Sequence, residues 1–249
     1  MKNRSLFLVS IALALLLCTS ATGQITCRYY TVRMDSTWDR SNDPLVESII
    51  GFYKPKVDVL MQEVIGISEV EMRSERPESL LSNFTADAML EEAKKISLRE
   101  VDFSLTNFGG LRAVLPEGEV RRFDIFSIYP FENYMVIVDL SGASVKRMFE
   151  SFAEQRVEAF SHSVQMEIES GKLKNLLING KQVEDGRIYR VATIDFLLTG
   201  GDNITALKEA TDVEQTGLLL RDVMINYIES VTKEGKQITS HIDNRVKEN

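Results

Sequence analysis

Three short segments concentrate the side chains that could hold a small polar ligand. The first is Asn107-Phe108-Gly109-Gly110-Leu111-Arg112, which follows the alternating run Val101 to Thr106. The second is Pro130-Phe131-Glu132-Asn133, and the third runs from Phe196 through Gly200-Gly201 to Asp202. Adjacent glycines after a strand permit positive φ and let a ligand approach the backbone closely. Arg112 offers a planar fork of donors suited to phosphate or carboxylate. Phe131 and Phe196 could take a planar base between them, since stacking needs only a π face and is worth about 1–3 kcal/mol per base. Asp202 could accept hydrogen bonds from ribose hydroxyls, with Asn107 and Asn133 as polar neighbours. A plainer reading stands beside this one: the two phenylalanines are core residues and the glycines only turn the chain.

Other chemistries find little support. The chain has two histidines, His162 and His241, neither with a carboxylate or second histidine at metal-ligand spacing, so both read as surface residues. There is no Gly-x-Ser-x-Gly elbow, P-loop or Cys-x-x-Cys. Cys27 has no neighbouring base to activate it.

Away from these segments, residues 1–23 read as a secretory signal. Lys2 and Arg4 precede the apolar run Leu6–Leu17, and Ala21-Thr22-Gly23 puts small residues before a cleavage point. The run falls short of the roughly 20 residues that span a bilayer. Cys18 after Leu15-Leu16-Leu17 loosely resembles a lipoprotein signal, so a membrane role is expected only if Cys18 is lipidated. Export to a bacterial periplasm or cell envelope follows, and a chain that opens on such a signal is expected to be whole. The full chain carries a net charge of −8; without Lys2 and Arg4 the balance is 27 basic against 37 acidic residues, or −10. That balance argues against nucleic acid as a partner. With cleavage after Gly23 only Cys27 remains, and no intrachain disulfide can form.

Residues 24–249 read as a single domain, with 24–70 an N-terminal extension and helix, and 71–249 the core. The spacing predicts an edge strand at Thr31–Met34 and a helix over about 44–64 ended by Gly66. A strand then follows through Ile67, Val70 and Met72, and an amphipathic helix through Leu80, Leu81, Phe84 and Ala88 to Leu90. Strands are expected at Val101–Thr106, Tyr134–Leu140 and Tyr189–Ile194, helices at Ala143–Phe160 and Thr216–Thr232, and a hairpin at Asn179-Gly180. The charged tail has room for a short terminal strand. Interleaved helices and strands with hairpin signals imply an α/β (α+β) fold with a mixed, layered sheet.

In order and spacing, the segments resemble the C-terminal, substrate-binding domain of the 5′-nucleotidase family, from about Glu71 to the last helix. Glu78-Ser-Leu-Leu-Ser-Asn83-Phe-Thr-Ala-Asp87-Ala-Met89 is similar to the family helix, and Asn107–Arg112 to its Asn-Gly-Gly-Gly-Ile-Arg motif. Pro130–Asn133 is similar to its Pro-Phe-Gly-Asn loop, and Asp195–Asn203 to the segment holding a Phe and an Asp. The resemblance implies that Phe131 and Phe196 clamp a base, Asp202 binds ribose, and Arg112 lies near phosphate and sugar. It further implies that Asn107 and Asn133 lie beside the base, with Gly109 and Gly110 lining the pocket. Three departures stand out. Phe108 replaces a glycine, which would narrow the pocket or add a third ring; Ser82 replaces the glycine before Asn83; and the family's arginine ahead of the Glu78 helix falls on Glu75, between Arg73 and Arg76.

Family enzymes also carry a metallophosphatase domain, whose His- and Asp-rich motifs have no counterpart before Glu71. The resemblance therefore implies no catalytic residue, metal ligand or cofactor in this chain. Its ligand would be a nucleoside or nucleotide. A separate metallophosphatase subunit would carry divalent metals such as Zn or Mn and do the hydrolysis. The alternative is a non-catalytic nucleoside-binding or structural interaction protein at the cell envelope.

Overall fold

The computed structural model describes residues 27–37 and 43–248; the expected signal and Cys18 lie outside them. The chain divides into two units, Met1–Gly51 and Phe52–Asn249. In the first, Thr31–Met34 is irregular and exposed rather than a strand: no strand among the described residues pairs with it. Helix α1, Pro44–Met61, opens with Asp43 Oδ1 accepting from the Leu45 N–H at 2.8 Å, and none of its residues is buried.

The second unit is built on three sheets. Strand β1 (Val64–Ser68) pairs antiparallel with β3 (Gly118–Arg121), which ties residues 64–68 to the core. Gly66 sits inside β1 and does not stop the preceding helix. A Cβ there would lie 2.6 Å from the Ile228 side chain, so glycine admits the last long helix at close range.

The central sheet comprises β2 (Phe103–Thr106), β4 (Tyr134–Ser141), β5 (Ala159–Phe160), β9 (Ile188–Ile194) and β10 (Thr211–Leu219), in the order β10-β4-β9-β2-β5. Within it β2 and β9 run parallel; the pairs β10–β4, β4–β9 and β2–β5 are antiparallel. The fold is thus α/β with mixed sheets. Strands β2 and β4 are buried on both faces; β4 is a near-continuous apolar run, as that burial demands, whereas β2 alternates and buries Ser104 and Thr106 as well as Phe103 and Leu105.

Helix α2 (Leu80–Ile96) is capped reciprocally by Ser79 and Ser82: Ser79 Oγ accepts from the Ser82 N–H at 3.2 Å, and Ser82 Oγ from the Ser79 N–H at 2.9 Å. That is the use of serine at position 82. Short helix α3 (Arg122–Ile128) follows β3, and α4 (Gly142–Glu154) follows β4.

Two of the expected helices are shorter than their spacing suggests. Beyond Glu154 the chain leaves α4 and pairs as β5, Phe160 opposite Leu105, because the edge of β2 needs a partner. Thr211–Leu219 is strand β10, and helix α6 begins only at Leu220 and ends at Lys233. Leu218 and Leu219 fit either periodicity, and the edge of β4 decides between them.

The third sheet holds β6 (Val164–Glu169), β7 (Lys172–Ile178), β8 (Lys181–Gln182) and the terminal strand β11 (Val246–Glu248), which lies parallel to β6. Asn179-Gly180 makes the expected hairpin with both φ positive (51° and 73°), and Ser170-Gly171 makes another in the same way (53° and 72°).

Candidate functional site

Sheet register gathers the three segments. Strands β2 and β9 are parallel neighbours, so their C-terminal ends lie at one edge. Strand β4 runs antiparallel to β9 with Met135 opposite Ile194, so its N-terminal end lies at that same edge. The loops after β2, before β4 and after β9 therefore emerge together, beyond the carboxyl ends of the parallel strands, where open α/β sheets bind ligands.

Asn107, Gly109, Gly110, Arg112, Phe131, Asn133, Phe196 and Asp202 line a single cavity of about 300 Å³. All eight lie in the second unit. Phe131 is 46% and Phe196 42% exposed. That departs from the plainer reading, in which both are core residues. Both rings stand partly exposed on the cavity wall.

One carboxylate sets the aromatic pair. Asp195 Oδ1 accepts from the Tyr134 N–H at 3.1 Å and from the Phe196 N–H at 2.8 Å. It thereby links the end of the Phe131 loop to the start of the four-residue helix α5 (Asp195–Leu198) that carries Phe196. The Asn133 carbonyl also accepts from the Leu220 N–H at 2.8 Å. Beyond α5 the backbone is left-handed at Gly200 (φ 88°), Asp202 (49°) and Asn203 (63°). Asp and Asn tolerate that region better than other side chains. The ring of Phe196 lies over Gly201, where a Cβ would come within 2.4 Å of it.

The first glycine pair works differently from expectation. Phe108–Gly110 form a 3₁₀ turn, and neither Gly109 nor Gly110 has positive φ. Both are needed for close approach. A Cβ on Gly109 would lie 3.2 Å from Asp202 Oδ2, and one on Gly110 would lie 3.0 Å from Asn107 Oδ1. Asn107 Nδ2 donates to Asp202 Oδ2 at 2.6 Å, which fixes the orientation of its amide and joins the first and third loops. Its Oδ1 is left buried without a partner.

Arg112 is exposed, with its guanidinium 5.9 Å from the Phe131 ring centroid, and it pairs with no carboxylate among the described residues. Its one acceptor among the described residues is the Gly109 carbonyl, reached by Nη1 at a long 3.5 Å. Asn133 likewise spends its side-chain amide on no protein group among the described residues. The cavity thus presents one cation unpaired with acid, one uncommitted amide, one carboxylate and two open rings.

Phe108 neither narrows this cavity nor adds a ring to it. It is 5% exposed and turned behind the wall, with the Arg76 guanidinium 4.4 Å above its ring. Arg76 Nη2 donates to both oxygens of Glu158, at 2.8 and 3.0 Å, and Glu158 Oε2 also accepts from the Phe108 N–H at 2.7 Å. Arg73 pairs with Glu71 at the surface. Neither arginine ahead of the Glu78 helix therefore lines the cavity. Asn83 is structural: its amide donates to Glu78 Oε1 at 2.7 Å and to the His241 carbonyl at 2.9 Å.

Asp195 and Glu158 are the residues that sequence reasoning misses. Both act on backbone N–H groups far along the chain, and no local spacing signals that. Among the described residues no group of three or more His, Cys, Asp or Glu could hold a metal ion, and the cavity itself offers one carboxylate and no imidazole. The residues present do not fit a two-metal hydrolytic centre. No helix among the described residues is long and apolar enough to cross a membrane.

Known proteins give the fold a lineage. The family described as "5'-nucleotidase, C-terminal domain" matches residues 61–209. A trifunctional nucleotide phosphoesterase, YfkN of Bacillus subtilis, is 26% identical over 231 residues, covering 83% of this chain and 15% of that protein. Protein UshA of Yersinia enterocolitica is 26% identical over 181 residues, covering 71% of this chain and 32% of its own length. The chain thus spans between about a seventh and a third of these relatives. In fold it is similar to a 5'-nucleotidase precursor from Thermus thermophilus, with a TM-score of 0.70 and 24% identity over 82% of this chain and 42% of the other. The family match takes in all eight cavity residues, and the chain belongs to the 5′-nucleotidase C-terminal domain family.

Proposed function

We propose that the cavity binds a nucleoside or nucleotide and that the chain serves 5′-nucleotide hydrolysis together with a separate metallophosphatase chain. In this reading the base lies between Phe131 and Phe196, Asp202 accepts from a ribose hydroxyl, and Arg112 meets the phosphate end. Asn107 holds the Asp202 carboxylate in place, and Asn133 offers its amide to the base. The observation that carries the reading is the convergence of two half-exposed rings, a guanidinium unpaired with acid and an oriented carboxylate on one cavity. The partner would supply divalent metals such as Zn or Mn and the attacking water. This chain would bind, orient and shield the nucleoside. Residues 1–23 would direct export to the periplasm or envelope, which mass spectrometry of the mature N-terminus tests, acylation of Cys18 included.

A second reading, nucleoside binding with no hydrolytic partner, draws on Arg76. Its guanidinium is committed to Glu158, so the cavity's single cation is balanced by Asp202 and the grip on phosphate is modest.

Calorimetric titration with adenosine, AMP and UDP-glucose tests the clamp. Phe196→Ala is expected to weaken the best of these ligands by about 1–3 kcal/mol, the worth of one stacked base. Equal binding by wild type and variant removes the clamp. Hydrolysis of AMP by the purified chain with added Zn²⁺ or Mn²⁺ removes the need for a partner.

A further inference from the structure

Helix α1 stands apart from the other long helices. Each of α2, α4 and α6 buries one face, whereas α1 buries no residue although most of its side chains are apolar. The family match reaches only its last residue, Met61. An exposed apolar patch larger than a few hundred Å² marks a surface that another molecule covers.

The spacing on α1 says what kind of surface this is. Val46, Ile50, Tyr53, Val57 and Leu60 follow one another at intervals of four, three, four and three residues, and each is about half exposed. That is the 3.5-residue period of a seam between two helices. The row offset by one residue, Leu45, Ile49, Phe52 and Val59, is broken by Lys56, whose ammonium lies 4.6 Å from the Phe52 ring centroid. By the same period Gly51 and Pro55 fall on the far side, so the two residues that weaken a helix stay out of the seam.

Charge selects the occupant. Glu47 and Asp58 balance Lys54 and Lys56, so α1 is neutral, and it lacks the lysine- and arginine-rich polar face of a helix that lies on lipid. A second α1, run antiparallel, matches it instead. Ile50 then meets Tyr53 of the other copy, Val46 meets Val57, and Leu60 covers the first turn of the other helix. Glu47 and Lys54 flank the seam on one side, so Glu47 of each copy faces Lys54 of the other, and two-fold symmetry makes the contact twice. Lys54 also binds Asp58 within its own helix, and an ammonium has three donors to share. Parallel helices would instead set Ile49 against Lys54 and Lys56 against Met61, with no ion pair. The antiparallel order also sends the rest of each chain, which resumes at Val64, from opposite ends of a helix roughly 27 Å long. That separates two chains of net charge −8 each. We propose that α1 pairs with α1 of a second copy in an antiparallel, two-fold symmetric seam, making the protein a homodimer.

Sedimentation velocity on the chain from Gln24 onward, at low salt and over a range of concentrations, tests this. The expected mass is that of two chains at the top of the range, falling towards one on dilution. A single-chain mass at every concentration up to about 100 µM overturns the dimer. Ile50→Asp puts an unpaired charge in the seam and should weaken association at least about tenfold, with far-UV circular dichroism showing that the fold persists. The flanking pair gives a second route if that variant misfolds. Glu47→Lys and Lys54→Glu should each weaken self-association several-fold, because each sets like charges face to face at both contacts. Mixed one to one, the two variants should associate with each other more tightly than either does with itself. A mixture that associates no better than its components overturns the antiparallel order. A dimer that none of these substitutions moves overturns the seam. Monomeric chain that sediments with vesicles of phosphatidylethanolamine and phosphatidylglycerol puts lipid on α1 and overturns the dimer too.

Discussion

Two clusters of polar side chains in the second unit are built from similar parts and end in opposite states. At the clamp edge, Arg112 has no acidic partner and Asn133 no side-chain partner among the described residues, Asn107 Oδ1 is unsatisfied, and two phenylalanines stand open. Around Arg245, 3% exposed, every donor is spent. Its guanidinium reaches Asp87 at 3.0 and 3.1 Å, Asp243 at 2.6 and 2.9 Å, and the Phe160 carbonyl at 2.9 Å. Hydrogen-bonding capacity that the fold leaves unused beside exposed apolar surface is capacity for a ligand; capacity that is saturated and buried holds the chain together. The Arg245 cluster does the second, fastening the C-terminal segment and β11 to α2 and β6.

The sharpest break in this contrast is Arg245→Ala. It leaves Asp87 and Asp243 facing each other without their shared cation and is expected to cost about 3 kcal/mol, the usual penalty for stripping one partner from a buried ion pair. Urea unfolding measures it; a loss below about 1 kcal/mol would make the cluster a surface feature. At the clamp the signs reverse. Gly201→Ala places a methyl where the Phe196 ring lies. Because that ring is half exposed and can swing away, melting temperature should move little while nucleoside affinity falls about tenfold, within the worth of one stacked base. Unchanged affinity would show that the ring's resting place is not its working place.

The same contrast explains what is legible before the fold is known. Phe131, Phe196, Arg112 and Asp202 stand out because each follows or precedes a strand-like run, where a side chain leaves the sheet. Their gathering into one cavity depends on β4 and β9 pairing Met135 with Ile194, and an alternating pattern does not encode a partner's register. Asp195 is invisible for that reason: it looks like a helix-starting acid, and its second acceptor role exists only because Tyr134 arrives beside it. Phe108 goes astray because a turn sequence does not say which way a ring points. The Glu158 carboxylate, 50 residues on, pulls its N–H and Arg76 into one stack behind the wall. The overlong helices at Ala143–Phe160 and Thr216–Thr232 fail alike, since apolar pairs such as Leu218-Leu219 satisfy both periods until a sheet edge claims them.

Asp195→Ala should sharpen the division between binding and structural groups. Losing an acceptor shared by two backbone donors is expected to cost about 1 kcal/mol of stability and to weaken nucleoside binding by loosening the Phe131 loop from Phe196. Chemical unfolding and calorimetry read the two losses separately. Asp195→Asn keeps Oδ1 as an acceptor and should restore most of both; if it does not, charge rather than geometry is what the loops need.

The smallest effect expected lies on the saturated side, at the rim of the Arg245 cluster. His162 Nδ1 stands 3.1 Å from Asp87 Oδ1, and the His162 N–H donates to the same oxygen at 2.7 Å. The hydrogen bond to Asp87 raises the His162 pKa above its ordinary value against the opposing cost of burial. Burial pushes Asp87 up, but its hydrogen bonds from His162 and Arg245 bring it below the usual carboxylate range, so it stays charged wherever His162 titrates. A raised histidine contributes fully below its unfolded pKa of about 6.5, and the contribution is lost as pH rises through the higher folded value. His162→Gln should therefore lower the melting temperature at pH 6 and have less effect at pH 9. With His162 half exposed, the difference should stay below about 1 kcal/mol. A gap that does not change with pH would mean that the backbone N–H and Arg245 already satisfy Asp87. The imidazole would then join Arg112 and Asn133 among the groups that the fold leaves uncommitted.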